Sequence, residues 1–116
     1  MSFGQHIRSI REHLHDGDAN YSLRKLAERV GIAPTYLSKI EREELGPPSE
    51  DTTRRIALEL KEDPDVLLAM AGKVSADLQE IIRKRPKLFA ELIRQLKTTP
   101  DNAILKVVRE VRDGDW

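Results

Sequence analysis

Apolar residues recur along this chain at intervals of three and four, and no run alternates long enough with polar residues to suggest a strand. The chain therefore reads as all-α. Ile7, Ile10 and Leu14 make the apolar stripe of a first helix from about Phe3 to His15. "DGDAN" ends it, a cluster of turn formers in which Gly17 can take a positive φ. Ser22 is suited to cap a second helix that buries Leu23, Leu26, Ala27 and Val30, and Gly31 stops it. A third helix extends from about Pro34 to Glu41, because the missing proline amide is tolerated in the first turn. Ser49 caps a fourth, running to about Lys61 with Ile56, Ala57 and Leu60 inward. Asp63 and Pro64 open a short fifth that ends at Gly72.

Three further helical segments follow Gly72, each with a start signal: Ser75 before "ADLQEIIRKR", Pro86 opening "PKLFAELIRQLK", and Thr99-Pro100 before "DNAILKVVREV". Their apolar residues, including Leu78, Ile81 and Ile82, are too many for a solvated tail. A segment this short rarely makes a self-sufficient core, so it either folds back on the first domain or pairs with a second copy. Pairing is the preferred reading, with Leu88, Phe89, Leu92, Ile93, Leu96, Ile104, Val107, Val108 and Val111 as the dimerisation surface of a homodimer. The organisation expected is a five-helix domain over residues 1–72 and a C-terminal helical region over residues 73–116.

Composition narrows the class. At 116 residues the chain suits one compact domain, or a small one with a helical appendage, and excludes a large multidomain enzyme. It has no cysteine, hence no disulfide framework and no thiolate metal site. No apolar run approaches the roughly 20 residues of a membrane span, and the N-terminus lacks a signal-peptide pattern, so a cytoplasmic protein with no membrane partner is expected. The 20 basic and 20 acidic residues cancel. Residues 1–72 carry 10 Lys and Arg against 13 Asp and Glu, while residues 73–116 carry 10 against 7. Any polyanion-binding surface in the first part must be local, and residues 22–42 supply one in Arg24, Lys25, Arg29, Lys39 and Arg42 against Glu28 and Glu41.

The spacing from Leu23 to Ile40 is specific. Two helices joined by a tight turn come closest where they cross, which favours the methyl side chain of Ala27, and the turn needs a positive φ, which Gly31 adopts without Cβ strain. Leu37 and Ile40, three apart, then hold the third helix against the second. The 100° step per residue turns Thr35, Lys39 and Arg42 to the opposite face, with Pro34 and Ser38 on one edge and Tyr36 on the other. Thr can reach a thymine methyl or a base edge, Lys a guanine or a phosphate, and Arg a phosphate.

"SLRKLAERVGIAPTYLSKIE" followed by "PPSEDTTRRIALEL" resembles the Xre/Cro/cI family of helix-turn-helix domains over roughly residues 3–72. The resemblance implies a third helix that enters the major groove of double-stranded DNA, and a dimeric repressor of its own or a neighbouring operon acting on a palindromic operator. Carried over by position, Pro34, Thr35 and Lys39 fall in base-reading slots, and Ser22, Arg24, Tyr36, Ser38 and Arg42 in backbone-contact slots. It also implies that Glu41 pairs with a first-helix arginine, here Arg11. Where many members read Asn-Gly-Lys after that glutamate, this chain reads Arg42-Glu43-Glu44, which implies modest affinity per half-site. Glu43→Lys is then expected to tighten non-specific binding. The run "LLAMAGKVSADLQEIIRKRPKLFAELI" is similar to regulators paired with ImmA/IrrE-type metallopeptidases in stress and phage-defence responses, where cleavage of the dimerisation helices relieves repression. The competing function is an antitoxin-like module whose C-terminal helices hold a toxin or peptidase.

Simpler readings stand beside these. Arg24, Lys25 and Arg29 also fit the solvated face of an amphipathic helix, and Tyr36 fits half-buried packing. His6, His13 and His15 do not assemble a zinc set, and "DGDAN" lacks the glycine and glutamate of a calcium loop, so no metal or cofactor is expected. No serine has a base and an orienting group at recognisable spacing, so no catalytic site is expected. "RKRPK", residues 83–87, is the densest basic run; it reads first as a solvated helix junction, with contact to DNA or another chain as the alternative. Trp116 reads as a frayed end.

Overall fold

A computed structural model of the chain describes residues 1–114; Trp116 lies outside them. The described residues form α-helices, with no strand: α1 Phe3–His15, α2 Leu23–Val30, α3 Pro34–Glu41, α4 Glu50–Glu59, α5 Pro64–Met70, α6 Ala76–Lys84, α7 Pro86–Leu96 and α8 Asp101–Asp113. They divide into two compact units, Met1–Ser75 and a second beginning at Ala76. The all-α class expected from the hydrophobic period is the one observed.

In the first unit the apolar stripes of α1 to α5 converge on one core of Phe3, Ile7, Leu26, Ala27, Val30, Leu37, Ile40, Ile56, Ala57, Leu60 and Leu67. Burying each larger member contributes roughly 1.5–3 kcal/mol before entropy is counted. Ile10, Leu14 and Leu23 are only partly buried, at the margin of this core. "DGDAN" is more ordered than a simple turn: the Asp18 carboxylate accepts a hydrogen bond from the Asn20 amide at 2.9 Å, and a 3-10 turn over Ala19–Tyr21 delivers the Tyr21 ring to the core. Gly17 does not use the positive φ open to it; among the described glycines Gly31 and Gly72 do.

Four helices of this unit end in the same way. Just past the end of α2 the Ile32 amide bonds back to the Ala27 carbonyl at 3.0 Å, and the amides after α3, α4 and α5 bond to Lys39 (from Glu44, 2.9 Å), Ala57 (from Glu62, 2.8 Å) and Leu68 (from Lys73, 3.0 Å). Each closure is a Schellman motif, which requires one left-handed residue. Gly31 and Gly72 fill that position at φ 84° and 73°, but Glu43 and Lys61 fill it at 62° and 61°. The closure at Lys61 is why α4 stops at Glu59, short of the expected Lys61.

Beneath α3 lies a buried ion pair. The Arg11 guanidinium grips Glu41 in a bidentate fork, Nε to Oε2 at 2.8 Å and Nη2 to Oε1 at 2.9 Å, and its Nη1 donates to the Tyr21 carbonyl at 3.2 Å. The pairing that the family resemblance implied is present.

The second unit is built differently. None of α6, α7 or α8 contains a buried residue. Leu88 is 71%, Leu92 52%, Val107 53% and Val111 60% exposed, with Phe89, Leu96 and Ile104 half-covered. The Thr99 hydroxyl donates back to the Gln95 carbonyl of α7, and α8 starts after Pro100.

Candidate nucleic-acid interface

The turn between α2 and α3 is fixed from both sides. Inside α2, the Ser22 hydroxyl accepts from the Lys25 amide at 3.3 Å, and Ala27, fully buried, permits the close crossing that the spacing called for. At the turn, Arg55 Nη1 from α4 donates to the Val30 carbonyl at 2.7 Å, supplying a partner for an otherwise unpaired helix-end acceptor. Nothing local in "TTRRIALEL" announces this role.

On α3, Leu37, Ile40 and Glu41 are buried, and this sets the helix's rotation. Thr35, Lys39 and Arg42 are exposed, Pro34 and Ser38 are half-buried edges, and Tyr36 leans on the core as partial packing. Arg24 and Lys25 of α2 are exposed, whereas Arg29 is committed: it bonds Glu59 at 2.8 Å and the Asn20 carbonyl, and lies 5.1 Å from the Tyr21 ring centre. Arg42 is tied to Glu44 at 3.0 Å and to the Ser38 hydroxyl at 3.2 Å, so a phosphate must compete with a carboxylate for it. Lys39 has no carboxylate partner among the described residues and is the least encumbered cation on the helix.

Glu43 also has a role within the fold. Its carboxylate caps the start of α1, accepting from the Ser2 hydroxyl, the Gly4 amide at 2.8 Å and the Gln5 amide at 3.3 Å. The Ser2 hydrogen bond, with help from the Gly4 and Gln5 amides, holds its pKa below the ordinary carboxylate value of 4.5. This contribution is present above that value and is lost as pH falls through the lowered pKa. Glu43→Lys would therefore remove a cap and set a cation against the positive end of α1, so it weakens the fold as well as altering the charge of the loop.

Residues 4–73 match the helix-turn-helix domain family. The chain belongs to the helix-turn-helix domain family. Within this helix-turn-helix unit, α2, the Gly31 turn and α3 form the eponymous motif. The chain is similar to two proteins of Mycobacterium tuberculosis, from strain CDC 1551 / Oshkosh and strain ATCC 25618 / H37Rv, each described as an uncharacterised HTH-type transcriptional regulator. Each is 44% identical over 69 residues, covering 60% of this chain and 45% of the relative. The chain thus spans about half the length of the curated relatives it matches. No solved structure matches it. Among the described residues no helix is long and apolar enough to cross a membrane.

Proposed function

We propose that this helix-turn-helix protein is a sequence-specific, DNA-binding transcriptional regulator of the Xre/Cro/cI type, acting as a homodimeric repressor of its own or a neighbouring operon. The observation that carries the reading is the two-sidedness of α3. Leu37, Ile40 and the Arg11-bound Glu41 anchor one side, leaving Thr35 and Lys39 exposed on the other. A helix so held can enter the major groove without reorganising. In this reading Pro34, Thr35 and Lys39 meet base edges, and Ser22, Arg24, Tyr36, Ser38 and Arg42 meet the backbone. The relatives' description as HTH-type transcriptional regulators supports it.

Thr35→Ala with Lys39→Ala should weaken binding to the DNA upstream of the protein's own gene by one to two orders of magnitude, since a good base contact contributes about 1–3 kcal/mol. Binding to a scrambled duplex should fall much less. Fluorescence anisotropy on both duplexes measures this, and equal affinity of variant and wild type on the specific duplex would remove α3 from the interface.

The exposed apolar residues of α7 and α8 support pairing with a second copy, because an apolar face of this extent is seldom left in water. Leu92→Glu with Val108→Glu in the full chain should halve the mass found by light scattering. A wild-type chain that is already monomeric favours the second reading, an antitoxin-like module whose C-terminal helices hold a toxin or peptidase. Relief of repression in the dimer reading comes from a co-encoded ImmA/IrrE-type metallopeptidase cutting these helices.

A further inference from the structure

Every arginine of the first unit is already ion-paired to a carboxylate of the same unit. Arg8, Arg11, Arg24, Arg29, Arg42, Arg54 and Arg55 each have an acidic partner, at 2.8 to 3.9 Å. Exposed pairs of this kind are worth only about 0–1 kcal/mol and can exchange, but each exchange releases an anion beside the nucleic acid. Residues 1–72 are moreover net acidic, with 10 basic against 13 acidic residues. Of the cations in residues 22–42, Lys25 and Lys39 are the two without a carboxylate partner among the described residues, so the unit that carries α3 supplies a limited share of the sequence-independent phosphate attraction that dominates DNA affinity.

The cations missing there lie at the junction of α6 and α7. Residues 83–87, "RKRPK", hold four basic residues and no acid. Arg83 is paired with Glu80 at 3.1 Å, whereas Lys84, Arg85 and Lys87 are exposed and have no carboxylate within ion-pair distance among the described residues. Consecutive Cα atoms are about 3.8 Å apart, so the α-carbons from Lys84 to Lys87 span at most about 11 Å. A duplex carries one negative charge per roughly 1.7 Å of its axis, so several phosphates fall within that span. Lys97, Lys106 and Arg109 are also exposed and without a carboxylate partner among the described residues, but they are spread along the chain, whereas Lys84, Arg85 and Lys87 fall within four residues. Arg94 and Arg112 of the same unit, by contrast, carry carboxylate partners, Glu91 and Asp113.

We infer that Lys84, Arg85 and Lys87 form a second, sequence-independent DNA contact that grips phosphates of a duplex whose bases α3 reads. The inference rests on the DNA-binding reading above. It divides the work of the chain: the first unit supplies discrimination, and the α6–α7 junction supplies much of the affinity and of its salt dependence.

The test is anisotropy with the full-length protein across roughly 50 to 200 mM salt, on the duplex upstream of its own gene and on a scrambled duplex of equal length. The variant Lys84→Gln, Arg85→Gln, Lys87→Gln should flatten the slope of log affinity against log salt by close to three, about 0.9 for each phosphate that is no longer neutralised. The weakening should be alike on both duplexes, so that the ratio of specific to non-specific affinity is kept. A charge-matched control, Lys97→Gln, Lys106→Gln, Arg109→Gln, should leave the slope near that of wild type. An unchanged slope in the first variant, with wild type binding, overturns the second contact and leaves the helix-turn-helix reading standing. An equal weakening in both variants assigns the effect to overall charge and also overturns it. A wild-type chain that binds neither duplex overturns the DNA reading itself.

Discussion

Glu41→Ala should lower the unfolding free energy by about 3–5 kcal/mol, because it strands the Arg11 guanidinium in a buried site without its anion. The Arg11 and Glu41 side chains are 9% and 3% exposed, so water cannot take over from the missing partner. Arg11→Met with Glu41→Leu should recover most of that stability, since removing both charges removes both desolvation penalties. What remains is the Tyr21 carbonyl, which is deprived of the donor now at 3.2 Å and costs on the order of 1 kcal/mol. Urea denaturation of the single and double variants measures the difference. A single variant within about 1 kcal/mol of wild type would show that the pair does not anchor α3. Glu41 anchors α3 together with Leu37 and Ile40, so under the proposed function the single variant should bind DNA poorly even where it remains folded.

Gly4→Ala is expected to destabilise by roughly 1–3 kcal/mol or more. The sign is unusual, since alanine in a helix ordinarily gains about 1 kcal/mol over glycine. Here a Cβ would overlap the Ile40 carbonyl oxygen and come within 2.6 Å of Glu43 Oε1. The first turn of α1 approaches the end of α3 so closely that only a hydrogen fits. The same approach lets the Glu43 carboxylate reach the Gly4 amide, so the substitution should also disturb that cap. Thermal unfolding of Gly4→Ala beside Gly17→Ala separates the effects, because a Cβ at Gly17 meets nothing within 4 Å. Equal melting temperatures for the two variants would mean that the contact between α1 and α3 yields without cost.

Glu43 joins the two predictions. The family pattern that this sequence resembles often has glycine where Glu43 stands, just after the third helix. Glu43 holds that position in a backbone conformation disfavoured for any residue with a Cβ, and its carboxylate offsets that strain by capping α1, accepting from the Gly4 amide 39 residues away in sequence. The two acids that follow Arg42 are thus occupied within the fold, Glu43 with α1 and Glu44 with Arg42.

Most of the helical framework was legible because its signals are local. Proline at the first helical position, serine caps at Ser22 and Ser49, and the three-and-four spacing of apolar residues act within a turn or two, so the expected bounds of α1, α2 and α3 coincide with the observed ones. The buried and exposed sides of α3 followed for the same reason, since Leu37 and Ile40 determine the rotation of everything between them. Only the family resemblance implies the Arg11–Glu41 pair, because two charged residues thirty apart leave no periodic trace.

What the sequence by itself determined is the all-α class, the helix order and the face of α3 that is left exposed, all consequences of short-range propensity and hydrophobic period. The tertiary structure alone decided which polar groups remain available. It committed Arg29 to Glu59 and Tyr21, Arg42 to Glu44, Arg55 to the end of α2 and Glu43 to the start of α1, while leaving Lys39 and the α6–α7 cations without carboxylate partners among the described residues. The physical reason is range: an ion pair or a helix cap depends on distances of about 3 Å between groups far apart along the chain, and those distances exist only after the core has formed.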